Sequence, residues 1–170
     1  MKRPGFWLIF LLLLIAQLLL STYANFSPYV VISLLPVMIL CIPIRVSTYI
    51  TLLVAFVSGL AVDFLSEGLL GLNALALVPV ALARVSIIRL IFGEELLARK
   101  EDFSVKRSGL GKVIVAILLS VAVFMAVYVW VDAAGTRPLL FNFLRFAASL
   151  AVSSVLSILV IDLLAPDSRK

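Results

Sequence analysis

The chain has 170 residues, of which 64% are hydrophobic and 14% are charged, and its formal net charge is +5. Soluble globular domains are about 45–50% apolar and about 25% charged, so this composition excludes an ordinary soluble domain. A transmembrane β-barrel is excluded because the apolar stretch from Phe6 to Leu20 does not alternate with polar residues. The composition therefore predicts an all-α integral membrane protein with one polytopic domain, residues 1–170.

The first apolar stretch, at about residues 5–24, is interrupted only by Gln17. About 20 apolar residues suffice to cross a bilayer, which predicts a first transmembrane helix after a short basic start. The competing interpretation is a cleaved signal peptide, since Thr22-Tyr23-Ala24 resembles a weak cleavage site. The apolar core is long for a signal peptide, so the transmembrane helix is favoured.

A second apolar segment, at about residues 29–42, contains Pro36 and is followed by Pro43. Proline kinks a helix, and so short a segment is marginal for a crossing, which leaves a half-buried or re-entrant segment open. We favour a crossing, because the distribution of basic residues requires an even number of spans before Arg45.

The third and fourth spans are predicted at about residues 48–65 and 69–91, and they form a hairpin around an outer turn at residues 66–68. In the third span, Gly59 follows Ala55 by four residues. Small residues at this spacing let two helix backbones approach closely, so the two residues predict helix packing.

Polar side chains distinguish this hairpin from the rest of the chain. Asp63 continues the Gly59 face, and Asn73 and Arg84 are eleven residues apart, which on a regular helix is one face and about 16 Å. Such side chains at membrane depth usually face a protein interior or a partner. Three roles for Asp63 remain open: a structural lock on a helix end or on an arginine of a neighbouring span, a partner contact, and transport.

The fifth and sixth spans are predicted at about residues 113–131 and 139–165, after a polar loop at residues 93–112. A solvated cytoplasmic loop is favoured there, and a docking site for a cytoplasmic partner is the alternative. The sixth span carries Arg145 and three serines at intervals of four residues, a spacing that suits close packing or interhelical hydrogen bonds. These serines are Ser149, Ser153 and Ser157.

Six spans divide the basic loop residues very unequally, with ten on one side of the membrane and Arg137 alone on the other. Basic loops stay in the cytoplasm, so both termini and the 93–112 loop are predicted to be cytoplasmic. The charge therefore reflects topology and does not indicate binding to nucleic acid. The ten residues are Lys2, Arg3, Arg45, Arg99, Lys100, Lys106, Arg107, Lys112, Arg169 and Lys170.

The sequence contains no catalytic or metal-binding pattern. Histidine is absent, and the single cysteine, Cys41, lies in an apolar run without a residue that would activate it. The acids of the spans and outer loops are scattered and have no second ligand type beside them. We therefore predict that the chain is not an enzyme and holds no metal or cofactor.

Several short motifs resemble the rod shape-determining protein MreD family. They are Gly59-x-x-x-Asp63, Gly68-x-x-Gly71-x-Asn73, Leu82-Ala83-Arg84, Ile88-Arg89, and Leu144-Arg145 with Ser149. The likeness extends over nearly the whole chain, because length, number of spans and the basic start also match. It implies that the glycines and polar residues of these motifs serve structure or partner binding.

The resemblance implies a non-enzymatic subunit of the bacterial inner membrane that supports peptidoglycan synthesis and maintains cell shape in the elongation complex. Its implied partners are an MreC-like bitopic scaffold, an MreB-like cytoskeletal filament and a peptidoglycan polymerase–transpeptidase pair, all at the lipid bilayer.

The family fold is similar to the substrate-binding subunits of energy-coupling-factor vitamin transporters. This likeness supplies an alternative function, a substrate-capture subunit of a small-molecule importer. Such subunits pair small residues in the first span, where this chain has only Ala16. A pure assembly chaperone is a third possibility.

Overall fold

The computed structural model describes residues 4–23, 30–66, 69–94 and 109–164. Five helices in these residues are long and apolar enough to cross a membrane, so the chain is an all-α, multi-pass membrane protein. Gly68, most of the predicted 93–112 loop and the basic ends of the chain lie outside the described residues. The helices are α1 (Pro4–Tyr23), α2 (Leu35–Leu40), α3 (Thr48–Leu65), α4 (Leu72–Phe92), α5 (Leu110–Ala133) and α6 (Leu139–Leu164).

The five long helices form a ring around the short helix α2. Along the ring α1 contacts α3, α3 contacts α4, α4 contacts α5, α5 contacts α6, and α6 returns to α1, while α2 contacts all five. Every residue of α2 is buried. The short helix α2 therefore lies at the centre of the hydrophobic core of the described residues.

In the second predicted span, residues 29–42, the described residues 30–42 are not one continuous helix, so this span is not among the five helices long enough to cross a membrane. Residues 30–34 are non-helical, and only Leu35–Leu40 is helical. Pro36 lies in the first turn of α2, where its missing N–H removes no helical hydrogen bond. If α2 began a turn earlier, Pro36 would lie inside the helix and its ring would clash with the preceding turn. The proline therefore prevents α2 from extending toward the N-terminus.

The other helices lie close to their predicted positions. Helix α3 has the predicted bounds, and the Ser47 hydroxyl before it accepts a hydrogen bond from the Ile50 N–H at 3.4 Å, which caps the helix. Helix α4 begins three residues later than predicted, because Gly71 has a φ of 90° that only glycine adopts readily. It then continues through Pro79.

Candidate functional site

Asp63 lies near the end of α3 and bonds to the beginning of α4. Its Oδ1 accepts hydrogen bonds from the Asn73 backbone N–H at 3.1 Å and from the Asn73 Nδ2 at 2.8 Å. Its Oδ2 accepts from the backbone N–H groups of Asn73 and Ala74 at 3.1 and 3.2 Å. The first N–H groups of a helix have no partner inside it, and the helix dipole favours negative charge there. Asp63 therefore caps the beginning of α4. We call this arrangement the Asp63 lock.

Gly59 permits the close approach on which this Asp63 lock depends. A Cβ atom at position 59 would lie 2.5 Å from the Ala74 Cα and 2.6 Å from the Ala74 N. These are backbone atoms, which a rotamer change cannot move away. Gly59 therefore lies directly against the α4 backbone, and Ala55, four residues earlier on α3, is also buried.

A cavity of about 60 Å³ lies beside the Asp63 lock, between α1, residues 31–33, the end of α3, the beginning of α4 and Tyr128 of α5. Polar groups of Gln17, Ser21, Ser33, Asp63 and Asn73 contribute to its lining. One buried water needs roughly 10–15 Å³ of such space and two to four polar partners. The cavity is therefore suited to a few water molecules.

Two serines of α6 bond to the non-helical residues 30–34. The Ser149 Oγ accepts a hydrogen bond from the Val31 N–H at 2.8 Å. The Ser153 Oγ accepts from the Ser33 N–H at 3.1 Å and donates to the Val31 carbonyl at 3.2 Å. Backbone groups at membrane depth need partners, since there is no bulk water. These serines replace hydrogen bonds that a helix would have made internally.

Gln17 of α1 bonds to the same segment from the other side. Its Oε1 accepts from the Leu34 N–H at 2.7 Å, and its Nε2 donates to the Ile32 carbonyl at 3.2 Å. In a continuous helix the Ile32 carbonyl would accept from residue 36, but Pro36 has no N–H. The Gln17 amide therefore supplies the donor that the proline lacks.

Arg84 of α4 bonds to the other end of α2. Its Nε donates to the Leu40 carbonyl at 3.2 Å, and its Nη2 donates to the Ile42 carbonyl. The last carbonyls of a helix have no internal partner, and a cation is favourable beside them. The Arg84 side chain is buried and caps the end of α2 from a neighbouring helix.

A separate polar group lies at the turn between α5 and α6, and we call it the arginine cluster: Asp132, Arg137 and Arg145. The Asp132 Oδ2 accepts from the Arg145 Nη1 and, at 3.1 Å, from the Arg137 Nη1. The Arg137 guanidinium also lies over the Phe141 ring, 5.6 Å from its centroid. One carboxylate thus faces two guanidinium groups.

The predicted site residues fall into separate places. The α3–α4 hairpin brings together Gly59, Asp63, Gly71 and Asn73. Neither arginine considered as a partner for Asp63 bonds to it, because Arg84 bonds to the end of α2 and Arg145 bonds to Asp132. Ser149 holds Val31. Arg89 is exposed, with its Nε 3.6 Å from the Glu94 Oε1, and Gly68 is outside the described residues.

Three residues with structural roles were missing from the predicted site: Gln17, Ser153 and Asp132. Gln17 had a detectable signal, since it is the one polar residue of a long apolar run. Ser153 belongs to the predicted serine stripe, but the stripe does not say which backbone it meets. Asp132 carried no signal, because its bond to Arg145 depends on the path of the α5–α6 turn.

Among the described residues, no group of three or more histidine, cysteine or acidic residues could hold a metal ion. Comparison of the chain with protein-family models, curated proteins and solved structures finds no match. We therefore infer the function from the contacts described above and from the motif resemblance.

Proposed function

We propose that the chain is a non-enzymatic inner-membrane subunit of the bacterial rod-shape complex, and that it binds an MreC-like scaffold along α3. The observation that supports this most is how the buried polar residues of the MreD-like motifs are used. Asp63, Arg84 and Ser149 bond to helix ends and to residues 30–34 of the same chain. Such groups fix the shape of a membrane domain, because they form hydrogen bonds to backbone groups of the same chain.

A bound partner would touch other residues, since Asp63 is 2% exposed and Arg84 is 3% exposed. Helix α3 offers an exposed apolar row at spacings of four and three residues, which is how a helix presents a seam to another helix. The single membrane helix of a bitopic scaffold fits such a seam. The row, which we call the α3 seam, consists of Tyr49, Leu53, Phe56, Leu60 and Phe64.

The Asp63 lock supports this assignment because it fixes the helix that carries the seam. Asp63 and Phe64 are neighbours on α3, so the bonds of Asp63 to α4 set the rotation of the seam about the α3 axis. A preorganised surface binds a partner with less loss of conformational entropy. The lock therefore serves partner binding without contacting the partner.

We further propose that residues 30–42 form a sixth crossing, with both termini in the cytoplasm. Val31 lines the cavity beside Asn73, whereas Ile42 lies at Arg84, eleven residues further along α4 and about 16 Å deeper. The segment thus runs alongside α4 in the same direction.

Cysteine labelling tests this topology. In a Cys41→Ser background, a membrane-impermeant maleimide added to intact cells with a permeabilised outer membrane should label Ala134→Cys and not Glu94→Cys. The opposite pattern would overturn the orientation.

The importer alternative is less well supported. Small-molecule sites typically enclose about 300–1,000 Å³, whereas the cavity beside the Asp63 lock has about 60 Å³. We accordingly expect that no vitamin raises the thermal stability of the purified protein, and a clear rise with one vitamin would favour the importer.

The scaffold proposal is tested by replacing part of the α3 seam with smaller apolar residues. The variant Leu53→Ala, Phe56→Ala, Leu60→Ala should insert normally, because alanine is tolerated in membrane helices, but should lose co-purification with the MreC-like protein of the same organism. Cells that depend on this variant should lose rod shape.

The matched control replaces three exposed residues of α1: Leu8→Ala, Leu12→Ala, Ile15→Ala. We expect this variant to retain both the partner and rod shape. Equal partner recovery with the two triple variants would contradict the α3 seam as the docking surface.

A further inference from the structure

We propose that the arginine cluster at the α5–α6 turn binds the phosphate of an anionic phospholipid, with Arg137 as its main contact. Asp132 is shared between two guanidinium groups, so the cluster has one positive charge more than it can balance. Of the two arginines, Arg137 is the accessible one, with 38% of its side chain exposed against 9% for Arg145. An anion approaching from outside therefore meets Arg137 first.

The buried part of the cluster has hydrogen-bonding capacity that the described residues do not use. Arg145 is 7% exposed, and its Nε has no hydrogen-bond partner there; the same holds for the Oδ1 of Asn142, one turn earlier on α6. A buried donor of a charged group left without an acceptor is unfavourable. The buried Arg145 side chain and its neighbour Asn142 are thus not fully hydrogen-bonded among the described residues.

Binding of a phosphate at Arg137 would change the pairing of Arg145 with Asp132. Arg137 and Arg145 donate to the same oxygen of Asp132, its Oδ2. Once Arg137 turns to the phosphate, Arg145 no longer shares that oxygen and can pair with the carboxylate alone. A carboxylate paired with one arginine commonly accepts two parallel hydrogen bonds from the guanidinium fork, and these can include the Nε. Phosphate binding at Arg137 would thus let the Arg145 guanidinium pair more completely with Asp132.

The surroundings favour a lipid over a free anion or an acidic protein segment. Trp130 is exposed and packs edge-on against Phe143, with ring centroids 5.6 Å apart, and Leu139 and Leu140 beside Arg137 are also exposed. Tryptophan is enriched at the level of the lipid headgroups. Acyl chains can lie along this apolar face while the phosphate meets Arg137, whose planar fork suits a phosphate. An acidic peptide would make no use of that face.

This inference does not depend on the identity of the MreC-like partner. It concerns the opposite side of the ring from the α3 seam, since α5 and α6 are not ring neighbours of α3. Under the topology proposed above, the lipid would belong to the outer leaflet.

Native mass spectrometry of the full chain in detergent tests the proposal with two defined probes, dioleoylphosphatidylglycerol and dioleoylphosphatidylcholine. The wild type should bind the first phosphatidylglycerol more tightly than phosphatidylcholine. Arg137→Gln should weaken the phosphatidylglycerol complex about tenfold, as expected for loss of one charge-assisted contact. Arg137→Lys should lie in between, because lysine keeps the charge and loses the fork.

Arg89→Gln is the matched control, since Arg89 is an exposed arginine at the end of α4 and is likewise paired with an acid, Glu94. It should leave phosphatidylglycerol binding within about twofold of the wild type, given how weak exposed pairs are. Equal weakening by Arg137→Gln and Arg89→Gln would show non-specific charge attraction and overturn the site. So would equal wild-type affinity for the two lipids.

Millimolar inorganic phosphate distinguishes the lipid from a free anion. It should fail to displace phosphatidylglycerol, because it has no acyl chains to lie on the Trp130 face. Full displacement would overturn the lipid assignment. Circular dichroism and gel filtration of Arg137→Gln should match the wild type, because the side chain is partly exposed and outside the core.

Discussion

The α3–α4 and α5–α6 hairpins of this molecule each carry an aspartate near the turn, and the two carboxylates are stabilised in different ways. Among the described residues, Asp63 accepts hydrogen bonds only from neutral amide groups, and all of these belong to Asn73 and Ala74 at the beginning of α4. Asp132 accepts from two guanidinium groups. Asp63 is almost completely buried, whereas 17% of the Asp132 side chain is exposed. We call the first hairpin closed, because its carboxylate is enclosed by α3 and α4, and the second open, because Asp132 and Arg137 remain partly accessible.

This difference shows that a charged residue in a membrane protein does not by itself identify a binding site. A carboxylate that receives several hydrogen bonds from a helix end, with the helix backbones in contact, has become part of the architecture. A cluster with an unbalanced charge and an unpaired buried donor is a better candidate for a ligand. The two hairpins can be separated experimentally on this basis.

The largest effect is expected at the contact that closes the first hairpin. Gly59→Ala places a Cβ 2.5 Å from the Ala74 Cα, so α3 and α4 must separate and the Asp63 lock must lengthen. Overpacking of this kind costs typically about 1–3 kcal/mol, and we expect the upper end because only backbone atoms are in the way. Reversible unfolding in mixed micelles measures this loss.

Gly111→Ala is the control for that substitution, since Gly111 is also helical and has nothing within 4 Å of its Cβ position. It should stabilise the protein by up to about 1 kcal/mol, because alanine is the better helix former. If Gly59→Ala were as stable as Gly111→Ala, the two backbones would not be in contact and the closed description of the first hairpin would be wrong.

The long helices were predictable because each is an apolar run of sufficient length, and length and hydropathy alone decide whether a segment can cross a membrane. Helix α2 was not predictable in the same way. The backbone of the non-helical residues 30–34 is hydrogen-bonded by Gln17, Ser149 and Ser153, and these partners come from α1 and α6. A local pattern cannot contain such information.

The candidate site shows the same limit. Gly59 and Asp63 could be assigned to one face from their spacing, and a lock was among the roles considered for Asp63. Whether Asp63 pairs with a helix end or with an arginine depends on how α2, α3 and α4 are shifted along their axes relative to one another. In the structure this shift places Arg84 at the Leu40 carbonyl. Predicting the role of Asp132 would have required the path of the α5–α6 turn. Its bond to Arg145 follows from the turn at Ala134, where φ is 43°.

A smaller effect separates paired from unpaired polar groups within α6 itself. Ser153→Ala removes the acceptor of the Ser33 N–H and the donor to the Val31 carbonyl, so we expect a loss of about 1 kcal/mol. Ser157 is equally buried, but its Oγ has no hydrogen-bond partner among the described residues. Ser157→Ala should therefore be neutral or slightly stabilising in the same unfolding measurement. Equal losses for the two variants would mean that hydroxyl volume matters and hydrogen bonding does not.

The smallest effect is expected at Arg137, and it tests whether the second hairpin is held electrostatically. Arg137→Gln removes one exposed ion pair and also relieves the repulsion between two guanidinium groups, so the free energy of unfolding should change by less than about 0.5 kcal/mol. Salt screens exposed charges, with a Debye length of about 10 Å at 0.1 M and about 3 Å at 1 M. The difference in free energy of unfolding between Arg137→Gln and the wild type should therefore disappear when the salt is raised from about 0.1 M to about 1 M.

Asp63→Asn, which alters a buried carboxylate bonded to neutral donors, should instead lose stability by the same amount at both salt concentrations. A salt-dependent Asp63→Asn effect would remove the distinction between the two hairpins, because both would then be governed by exposed charge.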